Sequence, residues 1–581
     1  MAGLSLPPVS MVPQTASPDA ASDHPPLPGA GPRRAAIYFA TDGYDPGRHG
    51  INGRRVAGQS FLTGYLTHMG DGPALACVDH QGSIGAFQDV VRRVSPGRAA
   101  AVVLRDHPRM AGIGTLFYPA PSLARLAWQR QMRGQTAWAN CGLTHTTATA
   151  GVQAEIAAFV TAPVAPWDAL ITTSLAVRAS VIRQLEVAED FARRRFPGAP
   201  TPERPLIQTI PLGIDTAAFA PDPVARAALR AELGLGDDAV LVACLSRLSF
   251  NEKFDPLPAF IALARAQGRC RAPLHLALIG QFADTGGAED FRRAAQALMP
   301  DVALHLIDGA SRDRCRAGLS AADIFLFPID NVQETFGLAP VEAMAAGLPV
   351  VATDWDGLRD TVTPQTGILI PTLTARPVLG RKIALRFLLG QDDYHHYLAQ
   401  TAAQTVFDVD AMARALADLA DAPDLRARLG SAGRARAQAV FDWAAVVPRM
   451  QDLWAEQDAR RRAAIAAGVA PFALGTDVAQ ALPPHDLFAS YPSGQITAPA
   501  RFHLLRSDAP LPDPQAMAGL RRFDRLRRPP AVIADVTAVL AALPDGDAIS
   551  LADLATRAGL DLPAAERAAI WLMKYGYAHP A

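Results

Sequence analysis

The sequence predicts an α/β protein with two doubly wound domains, followed by a small, mainly helical domain. Apolar strand-like runs alternate with helical segments from Ala36 onward, as in sheets whose strands are joined by helices. A Pro-rich acidic stretch at residues 220–224 interrupts the alternation, which restarts at Ala239. We expect a disordered tail at residues 1–33, a first α/β domain at 34–212 and a second at 213–465. A linker at 466–500 and a small helical domain at 501–581 are expected to follow.

The composition is that of a soluble globular protein without a strong overall charge. Half of the 581 residues are hydrophobic, 19% are charged and the net charge is −1, so no global field attracts nucleic acid. No apolar run reaches the roughly 18 residues that span a bilayer, and the N-terminus lacks a signal-peptide pattern. The five cysteines have no C-x-x-C spacing, which favours reduced thiols and argues against structural zinc. We expect a cytoplasmic protein with at most peripheral membrane contact.

Residues 321–356 are the stretch with the densest chemical signal. A buried strand at Ile324–Pro328 leads through a polar loop to a glycine turn at 335–338. Pro340 marks the expected start of a helix, because a first turn does not need the N–H that proline lacks. Val350–Thr353 reads as the next buried strand. A strand, a glycine turn and a helix N-terminus together favour binding of an anion such as phosphate.

Two carboxylates bracket this turn. Glu334 precedes it, and Glu342 is expected in the first turn of the helix. Carboxylates do not bind phosphate, but they accept hydrogen bonds from sugar hydroxyls. The loop could therefore hold phosphates through backbone N–H groups and a sugar on each side through a glutamate. The alternative is an ordinary helix N-terminus with an acidic first turn.

The E-x7-E pattern with Phe336-Gly337-Leu338 inside it resembles the signature of retaining, family 4 (group 1) glycosyltransferases. The resemblance implies that Glu334 contacts the donor sugar and Glu342 the ribose of its nucleotide. It also implies donor contacts at Phe336, Gly337 and Leu338. The fold implied is GT-B, with two Rossmann-like domains facing a cleft, the first binding the acceptor and the second the donor.

Other segments are similar to the same family over about residues 35–465. Ile210–Phe219 resembles the family's crossing between domains, so we place the boundary near residue 213. Trp167–Ser174 is similar to a family strand and helix cap, and Phe441–Trp443 to the segment before its last helix.

Arg247 and Lys253 follow the predicted strand Ala239–Leu245. Arginine offers a fork of donors and lysine a mobile charge, a combination that suits a diphosphate. Taken singly, either residue is better explained as surface charge. Together they resemble the family's donor-phosphate pair, although Ser246 replaces the usual glycine and the Arg–Lys spacing is one residue longer than the commonest form.

Three further candidates follow predicted strands. Gly58 ends a long polar loop after the first strand, where a helix is expected to begin; a solvated surface loop is the alternative. His145 follows a strand of the first domain, and the resemblance implies that it lies close to the donor sugar; a structural histidine is the alternative. Gly280 ends the strand Leu274–Ile279 and resembles the family's edge that binds the base.

The C-terminal segment predicts two short helices. Ser550 is a helix cap with Asp553 close behind it, and Pro563–Tyr575 forms the second helix. Together they resemble a winged helix, and an arginine cluster lies at residues 521–528. A DNA-binding protein needs a basic recognition helix, which this segment lacks, so we expect a protein partner or a packing role and no nucleic acid.

These observations predict a retaining glycosyltransferase that moves a sugar from a nucleotide-sugar donor to an unknown acceptor, which is a glycan, a lipid or a small molecule. Glu334, His145, Arg247 and Lys253 are the expected catalytic residues. The phosphates have basic and backbone partners, so neither a metal nor another cofactor is expected. Two alternatives remain, a nucleotide-sugar epimerase or hydrolase on the same fold and a non-catalytic sugar-binding scaffold.

Overall fold

A computed structural model describes residues 27–44, 53–282, 286–469, 480–493, 500–504, 548–576 and 578–580, with the isolated positions 478, 496, 535, 538, 539 and 542. The chain divides into two compact units, Met1–Val478 and Ala479–Ala581. The first unit contains both doubly wound domains that the sequence predicts, which confirms the expected fold class.

The first domain is built on a seven-stranded parallel sheet with the order β3-β2-β1-β4-β5-β6-β7. Its central strands are buried on both faces, as expected where helices cover both sides of a parallel sheet. Its strands are β1 (Ala36–Tyr38), β2 (Ala74–Val78), β3 (Ala100–Leu104), β4 (Thr115–Tyr118), β5 (Ala139–Leu143), β6 (Ala169–Thr172) and β7 (Leu206–Thr209).

The second domain repeats this plan on a six-stranded parallel sheet with the order β10-β9-β8-β11-β12-β13. Its strands are β8 (Val240–Leu245), β9 (Leu274–Gly280), β10 (Ala303–Asp308), β11 (Ile324–Phe327), β12 (Val350–Thr353) and β13 (Gly367–Ile370). An antiparallel pair, β14 (Thr372–Thr374) and β15 (Thr405–Phe407), follows β13 and flanks a two-helix excursion.

Helices connect the parallel strands and pack on the sheets. In the first domain they are Thr41–Tyr44, Gly53–His68, Gly82–Val94, Leu123–Gln131, Ala150–Ala157 and Leu175–Arg195. In the remainder of the first unit they are Pro223–Glu232, Pro256–Gln267, Gly287–Leu298, Arg312–Ala321, Leu338–Ala345, Leu358–Thr361, Pro377–Leu388, Tyr394–Ala402, Val409–Asp421, Pro423–Arg436 and Trp443–Ala466. None of the described helices is both long enough and apolar enough to cross a membrane.

The helix Trp443–Ala466 departs from the predicted domain limits. It was expected within the second domain, residues 213–465, but Trp443 and Trp454 are buried in the core of the first domain with Phe61 and Tyr65. At Gly64 a Cβ atom would lie 2.1 Å from the Trp443 ring, so the close approach of the two helices requires glycine there. The chain thus crosses between the domains twice, near residue 213 and again before Trp443.

The N-terminal part of the first domain also differs from expectation. The helix Gly53–His68 begins five residues before Gly58, the residue at which the sequence predicted its start. The predicted disordered tail, residues 1–33, includes a described part: Leu27 is buried and its N–H donates to the Gly112 carbonyl over 3.1 Å. Residues 1–26 lie outside the described part of the chain.

The second unit contains the two predicted helices, Leu551–Ala558 and Leu562–Lys574. Ser550 caps the first as expected, since its Oγ accepts from the N–H of Asp553 at 3.1 Å. The domain is less helical than predicted, because Arg501–Leu504 pairs antiparallel with Ile549–Ser550 and Ala578–Pro580 in a three-stranded sheet. The arginine cluster at 521–528 lies outside the described residues. A short helix, Pro484–Leu487, occupies the predicted linker.

Candidate functional site

The predicted site residues lie between the two domains, at the carboxyl ends of the parallel strands. Doubly wound folds bind their ligands at this edge of the sheet. His145 follows β5, Lys253 follows β8 and Glu334 follows β11. Two hydrogen bonds join the domains here: the Thr335 hydroxyl donates to the His145 carbonyl at 3.5 Å, and the Thr173 hydroxyl donates to the Thr335 carbonyl at 3.1 Å. The turn after Glu334 therefore touches both domains.

Glu334 and Lys253 form an ion pair in which Lys253 Nζ lies 2.9 Å from Glu334 Oε2. The other carboxylate oxygen, Oε1, accepts from the N–H of Gly337 at 3.0 Å. Burial on its own would raise the pKa of Glu334. The charge and hydrogen bond of Lys253, with backbone N–H groups of Gly337 and Thr335, outweigh it and lower that pKa below its ordinary value. Glu334 is therefore an oriented, ionised carboxylate.

The glycine turn leads directly into a helix. Gly337 has a left-handed backbone, with φ of 84°, and a Cβ there would lie 2.7 Å from Leu358 Cδ2. The helix begins at Leu338, two residues before the predicted start at Pro340, so Glu342 is its fifth residue rather than in its first turn. The first N–H groups of a helix have no partner within it. This N-terminus can therefore bind an anion beside Lys253.

Arg247 is half-exposed and engaged by two side chains that the sequence did not single out. Its Nη2 donates to Gln333 Oε1 at 2.6 Å, and its Nη1 pairs with Glu252. Glu252 also accepts from His395, whose Nδ1 lies 2.7 Å from Oε1. No local sequence pattern indicates this network, because His395 comes from the two-helix excursion between β14 and β15.

The loop that carries Lys253 is fastened to the loop before Glu334. Asn331 Nδ2 donates to the Asn251 carbonyl at 2.9 Å, and the Asp255 N–H donates to Asp330 Oδ2 at 3.3 Å. Asp330 Oδ1 is buried and has no hydrogen-bond partner among the described residues. Burial raises the pKa of Asp330 to about 7. These contacts fix the spacing of Lys253 and Glu334, and sequence reasoning missed them.

Glu342 lines a polar cavity of about 400 Å³ between the domains. Arg312 and Arg316 lie in the same lining, opposite Gln59 and Ser60 of the helix Gly53–His68. Burial raises the pKa of Glu342 to about 7, against the opposing charges of the two arginines. The cavity offers a carboxyl group and two cations to a polar ligand.

Gly58, His145 and Leu338 line a second, mostly apolar cavity of about 120 Å³. This cavity thus brings Gly58 and His145 of the first domain together with Leu338, the first residue of the helix after Gly337. Close packing explains Gly58, where a Cβ would lie 2.3 Å from the Gly43 carbonyl oxygen. The other apolar lining residues include Tyr38, Phe61, Phe117, Leu143, Ile210 and Leu212.

Two predicted donor contacts occupy different surroundings from those expected. The Phe336 side chain is 2% exposed and packs edge-on against Phe441, with ring centroids 5.8 Å apart, so it is part of the core. Any contact of Phe336 with a ligand would therefore be made by its backbone. Gly280 is pressed against the neighbouring strand end, since a Cβ would lie 1.9 Å from the Ser246 carbonyl oxygen. The glycine is required there by packing.

A second set of polar contacts joins the domains on the other side of Thr335. Ser174 Oγ donates to Asp356 Oδ1 at 2.8 Å, and the Leu175 N–H donates to Asp360 Oδ2 at 2.7 Å. Asp356 has a φ of 43°, which is unusual outside glycine. Burial raises its pKa to about 7. Among the described residues, no cluster of three or more His, Cys, Asp or Glu side chains is arranged to hold a metal ion.

Residues 225–404 match a family of known proteins, described as glycosyl transferases group 1. A GDP-mannose-dependent monoacylated alpha-(1-6)-phosphatidylinositol monomannoside mannosyltransferase of Corynebacterium glutamicum is 27% identical over 279 residues, 46% of this chain and 61% of the relative. A GDP-mannose-dependent alpha-(1-6)-phosphatidylinositol monomannoside mannosyltransferase of Mycolicibacterium smegmatis is 31% identical over 284 residues, 47% and 62% of the two chains.

Another relative, a D-inositol 3-phosphate glycosyltransferase of Kineococcus radiotolerans, is 31% identical over 182 residues, 29% of this chain and 41% of the relative. The chain thus spans about three fifths of the length of the first two relatives. The structure also aligns with that of Anabaena Alr3699/HepE in complex with UDP, at a TM-score of 0.45 and 16% identity, covering 75% of this chain and all of that one.

Proposed function

We propose that the chain, whose residues 225–404 match the group 1 glycosyl transferases, transfers a sugar from a nucleotide-sugar donor to a hydroxyl acceptor, with retention of anomeric configuration. One observation carries the proposal. Glu334 is fixed between Lys253 and the N–H of Gly337, at the start of a helix that faces the cleft. A carboxylate that would accept hydrogen bonds from a sugar is thereby adjacent to a helix N-terminus that would hold a phosphate.

The basic groups and the helix N-terminus suit a leaving diphosphate. Lys253, Arg247 and the N–H group of Leu338 would stabilise the negative charge that develops as the bond to the sugar breaks, whereas the N–H of Gly337, which the sequence also predicted there, is taken by Glu334. Hydrogen-bond donors and positive charges stabilise such charge most effectively when they are already oriented and water is excluded. We propose that these groups, without a divalent cation, hold the donor phosphates.

Glu334 and His145 would orient the donor sugar from opposite domains. No carboxylate occurs among the described residues of the apolar lining that contains His145. Glu334 is committed to its pair with Lys253. A double displacement needs a free carboxylate nucleophile. The arrangement therefore favours attack by the acceptor on the same face as the leaving group, whose phosphate oxygen would accept the acceptor's proton.

The relatives guide the choice of substrates. Two are named for GDP-mannose as donor, and their acceptors are phosphatidylinositol mannosides; a third is named for D-inositol 3-phosphate. We propose GDP-mannose as the first donor to test and a glycan, a glycolipid or a polyol phosphate as the acceptor. Five free thiols support a reducing, cytoplasmic location.

The experiment is release of nucleoside diphosphate from GDP-, UDP- and ADP-sugars in the presence of candidate acceptors. We expect turnover of one donor, lowered at least about 100-fold in Arg247→Ala and in Lys253→Ala. Arg265→Ala is the matched control, because Arg265 is an exposed residue paired with Asp410 on another surface. Donor turnover that survives loss of both Arg247 and Lys253 would contradict the assigned phosphate site.

A further inference from the structure

The helix Pro377–Leu388, in the excursion between β14 and β15, exposes an apolar face. Val378, Leu385, Leu388 and Leu389 are between 52% and 83% exposed, whereas Ile383 is buried against the domain. Val378, Leu385 and Leu389 are spaced i, i+7 and i+11, so they lie on one side of a helix. A contiguous set of large apolar side chains is unusual on the surface of a monomer and marks an interaction site.

The same face is positively charged. Residues 361–391 contain four basic residues and no acidic residue. Arg386 is neutralised by Asp392, at 2.6 Å, but Arg376, Arg381 and Lys382 are exposed. The chain as a whole has a net charge of −1, so this concentration of positive charge is local.

We propose that this surface, formed by Val378, Leu385, Leu388 and Leu389 with Arg381 and Lys382, docks on an anionic lipid bilayer. A helix that lies in the plane of a membrane inserts apolar side chains at the level of the headgroups while its basic side chains meet anionic lipids. Self-association through the surface is disfavoured, because it would bring Arg381 and Lys382 of two copies together. The next acidic residues along the chain, Asp392 and Asp393, are already paired with Arg386 and His396.

The docking helix is connected to the site. Phe387 stacks on Tyr397 of the next helix, with ring centroids 4.3 Å apart. That next helix also supplies Tyr394, which is hydrogen-bonded to Gln333, and His395, which is paired with Glu252. A membrane bound at the helix Pro377–Leu388 would therefore lie next to the helix Tyr394–Ala402, whose Tyr394 and His395 contact the two partners of Arg247. The docking itself does not depend on the proposed transfer reaction.

The test is flotation of the full chain with vesicles of phosphatidylcholine, alone or with about 30% phosphatidylglycerol. We expect binding to the anionic vesicles, weakened by salt. The variant Arg381→Gln with Lys382→Gln should bind about 25-fold more weakly, since each basic residue contributes roughly a fivefold factor. Arg292→Gln with Arg293→Gln, on the exposed face of the helix Gly287–Leu298, is the control of equal charge and should bind as the wild type does.

The apolar part is tested separately by Leu388→Ser with Leu389→Ser, at exposed positions whose replacement leaves the core intact. Loss of vesicle binding with an unchanged melting temperature supports the proposal. Equal binding to neutral and anionic vesicles, or equal binding by both charge variants, would overturn it. So would a wild-type dimer that the leucine variant converts to a monomer while neither protein floats, because the surface would then be a subunit interface.

Discussion

Lys253 Nζ lies 2.9 Å from Glu334 Oε2, so the cation predicted on the donor phosphate and the carboxylate predicted on the donor sugar form one ion pair. The two residues come from different strand ends and are 81 positions apart. A pair of this kind positions both groups before any ligand binds. It also means that a change in either residue alters the other.

The pair should behave as a unit in kinetics. Glu334→Gln and Lys253→Met should each lower kcat/KM about 10²- to 10³-fold, because each removes an oriented charge from the site. The double variant should lose much less than the product of the single effects. Nucleoside diphosphate release by the three variants measures this coupling, and multiplicative losses would show that the two residues act independently.

Glu342 should affect donor binding rather than the chemical step. Glu342→Gln keeps the shape of the side chain but cannot ionise. At pH 8, above the pKa of about 7, it lacks the charge that strengthens hydrogen bonds from ribose hydroxyls, so we expect the donor KM to rise about 10- to 100-fold with little change in kcat. Glu289→Gln, at an exposed position of another helix, is the control. A fall in kcat at unchanged KM would instead assign Glu342 to the reacting end of the donor.

Asp330 should make stability depend on pH. Its raised pKa, about 7, means that the folded protein keeps a proton that the unfolded chain releases near pH 4. Its contribution to stability is therefore present below about pH 4 and is lost as the pH rises to about 7.

Denaturant unfolding of Asp330→Asn at pH 4.5 and pH 8 tests this contribution. The asparagine cannot titrate, so the variant should gain stability relative to the wild type at the higher pH, by on the order of 2–4 kcal/mol. Asp313→Asn, at a side chain that is 92% exposed, should leave the pH dependence unchanged. The same pH dependence in Asp330→Asn and the wild type would rule out this role.

Gly64, in the helix Gly53–His68, should be sensitive to substitution. Gly64→Ala would place a Cβ 2.1 Å from the Trp443 ring, and we expect a loss of about 1–3 kcal/mol in the free energy of unfolding. Gly85→Ala, in the helix Gly82–Val94, meets nothing within 4 Å and should instead stabilise by about 0.5–1 kcal/mol. Thermal melting of the two variants compares them directly, and equal shifts would mean that the Trp443 contact is not tight.

Much of this architecture was predictable because its signals are local. Buried runs such as Val350–Thr353 identify strands of a parallel sheet, and strand ends in such sheets meet at one edge. The approach of Glu334 to Lys253 follows from that rule together with the resemblance. The roles of Glu334, Glu342, Arg247, Lys253 and His145 stay predictions until variants are assayed.

The remainder depends on contacts between distant segments. Nothing near His395 indicates that an excursion brings it to Glu252, 143 residues earlier. The burial of Phe336 depends on the left-handed turn at Gly337 and on Phe441, and the return of the last helix depends on the fit of Trp443 against Gly64. Such packing is fixed by shape in three dimensions, which a one-dimensional pattern does not record.

The most direct test of the central claim is the anomeric configuration of the product. The donor identified by nucleoside diphosphate release should be incubated with its acceptor, and the new glycosidic bond followed by NMR from the first turnovers. We predict the same anomeric configuration as in the donor, and product formation about 10²- to 10³-fold slower with Lys253→Met. An inverted linkage, or free sugar as the sole product in the presence of acceptor, would contradict a retaining transferase.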